Sequence, residues 1–164
     1  MGVSFSAALP DDAIVVYRQK ITGSVRGTVL FTETGYNQVS IVIHVAGLTP
    51  GLHGFHIHEC GDLRDGCKSA CAHYNPYGQK HGGLNHPESH VGDLGNIIAD
   101  EQGVCRMVIK TGKIQIKDIV GRCLIIHADP DDLGLKNTVE SLTTGTSGER
   151  IACEIIGIAK RANN

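Results

Sequence analysis

The chain has 164 residues, 41% of them hydrophobic and 4% aromatic, with no Trp and a formal net charge of −2. That composition fits one globular domain able to bury a real core, and excludes an intrinsically disordered chain. The near-neutral balance offers no bulk attraction to nucleic acid or an anionic membrane, and no apolar run reaches the ~20 residues of a membrane-spanning helix.

Residues 1–12 read as a short extension ending at the turn-like Pro10-Asp11-Asp12, and residues 13–164 as a single domain. Met1-Gly2-Val3-Ser4-Phe5-Ser6 fits the loose N-myristoylation pattern, but no polybasic cluster follows to supply a second anchoring signal. A basic segment followed by an apolar stretch is missing, so no secretory signal is read and a cytoplasmic protein is expected. Val25, Gly27, Val29 and Phe31 alternate with Arg26, Thr28 and Leu30. Val39, Ile41, Ile43 and Val45 alternate with Ser40, Val42 and His44. Period 2 with β-branched residues predicts half-buried strands, and places His44 on the outer face. Arg106 to Lys110, Lys113 to Ile119, Leu124 to His127 and Ile155 to Ala159 also predict strands, separated by turn residues such as Asp100-Glu101-Gln102-Gly103. The fold class that follows is all-β: an eight-stranded Greek-key barrel or sandwich. Residues 59–93 and 128–150 are rich in Gly, Asp, Asn, Pro, Ser and Thr and lack periodicity; such long segments in a compact domain are functional or disordered.

The histidines decide between those options. Of nine, seven lie between His53 and His90. On a strand, side chains at i and i+2 share a face, so His56 and His58 point at one place. His73, His81 and His90 follow in the first long loop, with Asp93 three residues on, and His127 ends the strand Leu124-Ile125-Ile126. Neutral imidazoles suit zinc and copper, and bound metal supplies the folding energy that a polar loop cannot obtain from burial. The six cysteines (Cys60, Cys67, Cys71, Cys105, Cys123 and Cys153) admit disulfides or metal, with buried thiols the reading for most of them.

Gly51-Leu52-His53-Gly54-Phe55-His56-Ile57-His58-Glu59, His73-Tyr74-Asn75-Pro76, His81-Gly82-Gly83, His90-Val91-Gly92-Asp93-Leu94-Gly95-Asn96, His127, Asp131-Asp132-Leu133-Gly134 and Arg150-Ile151-Ala152-Cys153 together resemble the copper–zinc superoxide dismutases, from about residue 13 to 160. The resemblance implies dismutation of superoxide to dioxygen and hydrogen peroxide, with a copper ion and a zinc ion as cofactors. It assigns His56, His58, His73 and His127 to copper, and His73, His81, His90 and Asp93 to zinc, with His73 bridging. It implies that Asp131 hydrogen-bonds ligands of both metals, that Arg150 stands beside copper as a fixed cation for a small anion, and that His73 and Arg150 are the catalytic residues. Cys67 and Cys153 match the family's intrasubunit disulfide; Cys60 and Cys71, in the same loop, leave disulfide scrambling open. His53 is expected beneath the copper-binding strand and His86 on the loop surface. A homodimer is expected, with a copper chaperone as a further partner and neither nucleic acid nor membrane.

Departures from the family pattern qualify these expectations. Leu84 stands where Pro is frequent after His-Gly-Gly, which would loosen the zinc loop. Val139, Leu142 and Thr143 stand where charged residues are usual, and Lys136 is the compensating candidate, so weaker electrostatic steering is expected. Cys60 replaces an aromatic residue of the dimer contact, while Gly61, Gly121 and Ile158 match it. The rival function is a non-catalytic copper/zinc-binding module resembling the copper-chaperone domain. Retention of all four copper histidines and Arg150 argues against it. A zinc-only protein using Cys60, Cys67 and Cys71 is weaker still, since no second Cys pair accompanies them.

Overall fold

Two antiparallel sheets emerge from the alternating segments in the computed structural model, which describes residues 12–17, 24–35 and 37–160. Apart from Asp12, the expected extension and its Gly2 pattern lie outside the described residues. One sheet orders its strands β6 (Val104–Thr111), β3 (Val39–Ala46), β2 (Arg26–Glu33), β1 (Asp12–Tyr17) and β9 (Gly157–Ile158). The other orders β5 (Asp93–Ala99), β4 (Gly51–His58), β7 (Cys123–His127) and β8 (Arg150–Ile155). β3 pairs with β6 while β4 and β5, between them in sequence, pair in the opposite sheet, which is the Greek-key connection. Eight strands carry the architecture, and two-residue β9 closes the β1 edge.

The predicted faces hold where period 2 is strong. In β3, Val39, Ile41, Ile43 and Val45 are buried while Val42 and His44 are exposed. Phe31 on β2 stands opposite Ile41, and Ile41 opposite Ile109 on β6, so the inward rows form the cross-strand pairs that stabilise a sheet. Phe55 and Ile57 of β4, Leu94 and Ile97 of β5 and Leu124 of β7 complete the core from the other side.

Three expectations are corrected. Asp12, read as the end of a turn, begins β1, whose Ala13, Val15 and Tyr17 are buried. The run Ala-Ile-Val-Val there is apolar on both parities, so alternation gives no strand signal. Lys113 to Ile119 is not a strand: it enters a four-residue helix, α1 (Ile116–Ile119). Ile114 and Ile116 fit period 2, but Ile119 is buried one helical turn after Ile116, and Val120 N–H donates to the Ile116 carbonyl at 3.1 Å. Ile155 to Ala159 is divided, because buried Ile156 hands the chain from the end of β8 to β9 in the other sheet.

The two long loops lie against the β4–β7 sheet. The first carries a 3-10 turn (Gly66–Ala70) and the second a short helix, α2 (Ser141–Thr144). Cys67 is disulfide-bonded to Cys153, 86 residues away, fastening the first loop to β8. In the chain-entropy model, closing a loop of that length is worth about 4.5 kcal/mol. Cys60 and Cys71, whose pairing the sequence left open, form a second disulfide. Cys105 and Cys123 are buried outside both crosslinks.

Candidate metal centre

β4 is the floor of the site. Its odd positions, Phe55 and Ile57, enter the core, so His56 and His58 necessarily face the loops, where both are fully buried. Register breaks occur in both β4 and its neighbour, between Gly54 and His56 and between Ile126 and His127. Such bulges re-aim side chains beside functional sites. The break in β7 turns His127 toward His56, with ring centroids 4.8 Å apart, and leaves it paired across the sheet with Arg150. His73 is brought alongside by a bridge to His58, and its ring lies 4.1 Å from that of His56.

Each imidazole has one nitrogen held by protein. His56 Nε2 meets Asp131 Oδ2 at 2.8 Å, His58 Nδ1 the Cys71 carbonyl at 3.0 Å, and His127 Nδ1 the Gly148 carbonyl at 3.2 Å. The opposite nitrogens (His56 Nδ1, His58 Nε2, His73 Nε2 and His127 Nε2) are buried with no hydrogen-bond partner. One ligand atom from each of these four residues lies within 4.8 Å of the others. Buried polar atoms in native proteins are almost always paired, and each orphan costs about 1–3 kcal/mol. Four orphans aimed at one point fit a metal ion with nitrogen preference.

The second cluster converges on Asp93, which is fully buried. Its Oδ1 lies 2.9, 3.0 and 3.2 Å from Nδ1 of His73, His81 and His90. Its Oδ2 accepts the backbone N–H groups of Gly82 and His90 at 3.0 and 3.1 Å. His81 Nδ1 and His90 Nδ1 are again buried without a hydrogen bond. Three imidazoles and one carboxylate make a tetrahedral zinc donor set. Mutual distance alone groups His56, not His90, with His73, His81 and Asp93. His56 is packed against His73, but its second nitrogen is committed to Asp131, whereas His90 Nδ1 faces Asp93 unpartnered. His73 alone thus offers one nitrogen to each cluster.

Asp131 ties the clusters together. Its two oxygens accept from His56 Nε2 and His81 Nε2, both at 2.8 Å, which pins both ring orientations. Gly145, at φ 70°, bends the second loop against this pair, and a Cβ there would collide with Asp131 Oδ1 and His81 Nε2. Asn96 clamps the Asp131 backbone from β5, accepting its N–H at 2.7 Å and donating to its carbonyl at 2.8 Å. Asn96 stands in a recognised motif, but a backbone clamp across 35 residues has no signal in sequence spacing.

The remaining predicted residues fall as follows. His53 is buried beneath the site, one ring nitrogen facing the His127 carbonyl at 2.7 Å and the other the Thr49 carbonyl at 2.8 Å. His86 is exposed on the loop. Arg150 donates through Nη1 to the Cys67 carbonyl at 2.8 Å and through Nη2 to the Cys71 carbonyl at 2.7 Å. Lys136 lies 3.8 Å from Asp132 at the surface, while Val139 and Leu135 project into solvent.

Charge follows this geometry. Without bound metal, burial and the neighbouring His73 hold His56 at about 3. Burial, reinforced by His73 and Arg150, lowers His127 to about 4. Burial opposes the charge on His81 as well, but Asp131 and Asp93 together outweigh it and raise His81 to about 9. His56 has only one carboxylate and a repelling imidazole, which is why the two partners of Asp131 move oppositely. Between pH 6.5 and 4 the unfolded chain binds more protons than the native state at His56 and His127, so stability falls on acidification through that window. The His81 contribution is complete below pH 6.5 and is lost as pH rises through 9. Denaturant midpoints of the metal-free protein are therefore expected to decline on both sides of neutrality. A flat profile from pH 6.5 to 4 would contradict the burial of neutral imidazoles.

The copper/zinc superoxide dismutase family model matches residues 25–156. The chain belongs to the copper/zinc superoxide dismutase family. A "Superoxide dismutase [Cu-Zn]" of Paramecium bursaria Chlorella virus 1 is 47% identical over 161 residues, covering 96% of this chain and 83% of that protein. The crystal structure of the clock protein EA4 superposes with a TM-score of 0.89 at 37% identity, covering 97% of this chain and all of the other. As a member of this family the chain is a superoxide dismutase, and its cofactors are copper and zinc.

Proposed function

We propose that dismutation takes place at a copper ion held by His56, His58, His73 and His127, beside a zinc ion held by His73, His81, His90 and Asp93. The observation that carries this reading is the set of six buried, unpartnered imidazole nitrogens, of which those of His56, His58, His73, His81 and His127 stand opposite a ring nitrogen that the protein itself holds. Bound copper supplies one-electron exchange with superoxide, and zinc, which has no redox chemistry, supplies charge and structure. The chain's residues do the rest. The two hydrogen bonds of Arg150 to the Cys67 and Cys71 carbonyls fix its guanidinium plane and leave donors over for a small anion. When it is not a copper ligand, His73 Nε2 would carry a proton for the peroxide product, with Asp93 facing its Nδ1. Asp131 keeps His56 and His81 protonated on Nε2, so that their Nδ1 lone pairs face inward.

The catalytic unit on this reading is residues 13–164, working as a homodimer in the cytoplasm, with copper delivered by a chaperone. Ile151 and Ile158 are exposed on β8 and β9, and support such an interface. The test is superoxide dismutation by one preparation loaded with zinc alone and with zinc plus copper. Activity is expected only with copper, at about one copper per chain, in material sedimenting as a dimer. An inactive protein with both metals at full occupancy would overturn the catalytic reading, and a monomer would overturn the assembly.

A further inference from the structure

We propose that the Cys60–Cys71 disulfide is a positioning crosslink for the anion site: it holds one backbone carbonyl, that of Cys71, on which both His58 and Arg150 depend. This rests on the roles given above to His58 and Arg150. The Cys71 carbonyl accepts from His58 Nδ1 at 3.0 Å and from Arg150 Nη2 at 2.7 Å. A shift of this oxygen would move a metal-facing imidazole and the anion-facing guanidinium together.

Cys71 is held in an unfavourable conformation. At φ 68° and ψ −155° it occupies a backbone region that is almost confined to glycine, because a Cβ crowds the adjacent peptide there. A side-chain-bearing residue persists in such a conformation only where its surroundings over-determine it. On either side of Cys71, Glu59 N–H donates to the Ala72 carbonyl at 2.9 Å and Cys60 N–H to the Ala70 carbonyl at 3.1 Å. These bonds hold the 70–71 and 72–73 peptides but not the intervening 71–72 peptide, whose carbonyl is the one that His58 and Arg150 use. The disulfide adds the side-chain anchor, tying the Cys71 Cβ to Cys60, two residues beyond the end of β4, with the two Cα atoms 5.5 Å apart. The other carbonyl gripping Arg150 belongs to Cys67, which is crosslinked to Cys153. Both acceptors of the guanidinium are therefore half-cystines, Cys67 tied to β8 and Cys71 to the segment that follows β4.

Two double variants separate this role from general stapling of the loop: Cys60→Ser with Cys71→Ala, and Cys60→Ser with Cys71→Gly. Neither can form the crosslink, and they differ by the methyl that makes the conformation costly. With the Cys67–Cys153 bond verified by thiol counting, solvent exchange of the His58 Nδ1 and Arg150 guanidinium protons is followed by NMR in the copper(I), zinc protein. The inhibition constant for azide, a small anion probe, is measured alongside. The alanine variant is expected to exchange both sets of protons about ten-fold faster and to bind azide several-fold more weakly, as for loss of a charge-assisted bond. The glycine variant is expected to return within about two-fold of the parent, since glycine adopts this backbone without a crosslink. An alanine variant matching the parent would overturn the proposal, as would a glycine variant impaired as much as the alanine one. A parent without dismutase activity would overturn the proposed function instead. The exchange rates, read in the protein as purified, would still decide whether the disulfide holds these bonds.

Discussion

Removing both metals lowers the thermal midpoint by roughly 20–40 °C. The figure follows from a structural zinc contribution on the order of 10 kcal/mol and about 2–4 °C per kcal/mol for a domain of this size. The cause is specific to the loops. Six imidazole nitrogens are buried without hydrogen-bond partners, and without an ion those of His56, His58, His73 and His127 are desolvated lone pairs. The polar segments 59–92 and 128–149 have little apolar surface with which to offset that cost; most of the core lies between the sheets. Calorimetry of stripped and zinc-reloaded protein measures the shift directly. Hydrogen exchange should show protection lost first around His73, His81 and His90, with β2 and β3 unaffected. A shift of only a few degrees would mean that the histidine cluster is satisfied without metal, and would remove the basis for both ligand sets.

Replacing Asp131 lowers metal affinity by about 10–100-fold although Asp131 is not in either ligand set. Its carboxylate accepts two N–H groups at once, from His56 and His81. Asp131→Ala frees both rings and leaves two buried N–H groups unpaired. Asp131→Asn is nearly isosteric yet also damaging, because an amide has one acceptor oxygen and one donor nitrogen. Whichever imidazole meets the amide N–H must present a lone pair at Nε2, and so carry its own proton on Nδ1, the atom that faces the ion. Competition titration against a chromophoric chelator reads the affinity of each variant. Binding within two-fold of the parent in Asp131→Asn would show that ring tautomer is not set from this side chain.

Much of this was legible in the sequence, because the relevant signals are local. Alternation of β-branched residues along 25–31 and 39–45 reflects sheets with one wet face, and it located β2 and β3 with their correct inward sets. The i, i+2 spacing of His56 and His58 put both on one face of a strand, and the density of His in one long loop marked a metal site. Local signals failed where burial is two-sided or the chain is short: the apolar run of β1 has no alternation, and the turn of α1 is shorter than any periodicity can register. What remained for the tertiary structure was contact between residues far apart in the chain. It alone decided which nitrogen of each histidine is spent on the protein, that Asp131 joins His56 to His81 across 75 and 50 residues, that Asn96 clamps Asp131, and that Cys60 bonds Cys71. Residue type states what a side chain can donate or accept; only the packing of sheet and loops determines which partner reaches it, and therefore which atom is left for the metal.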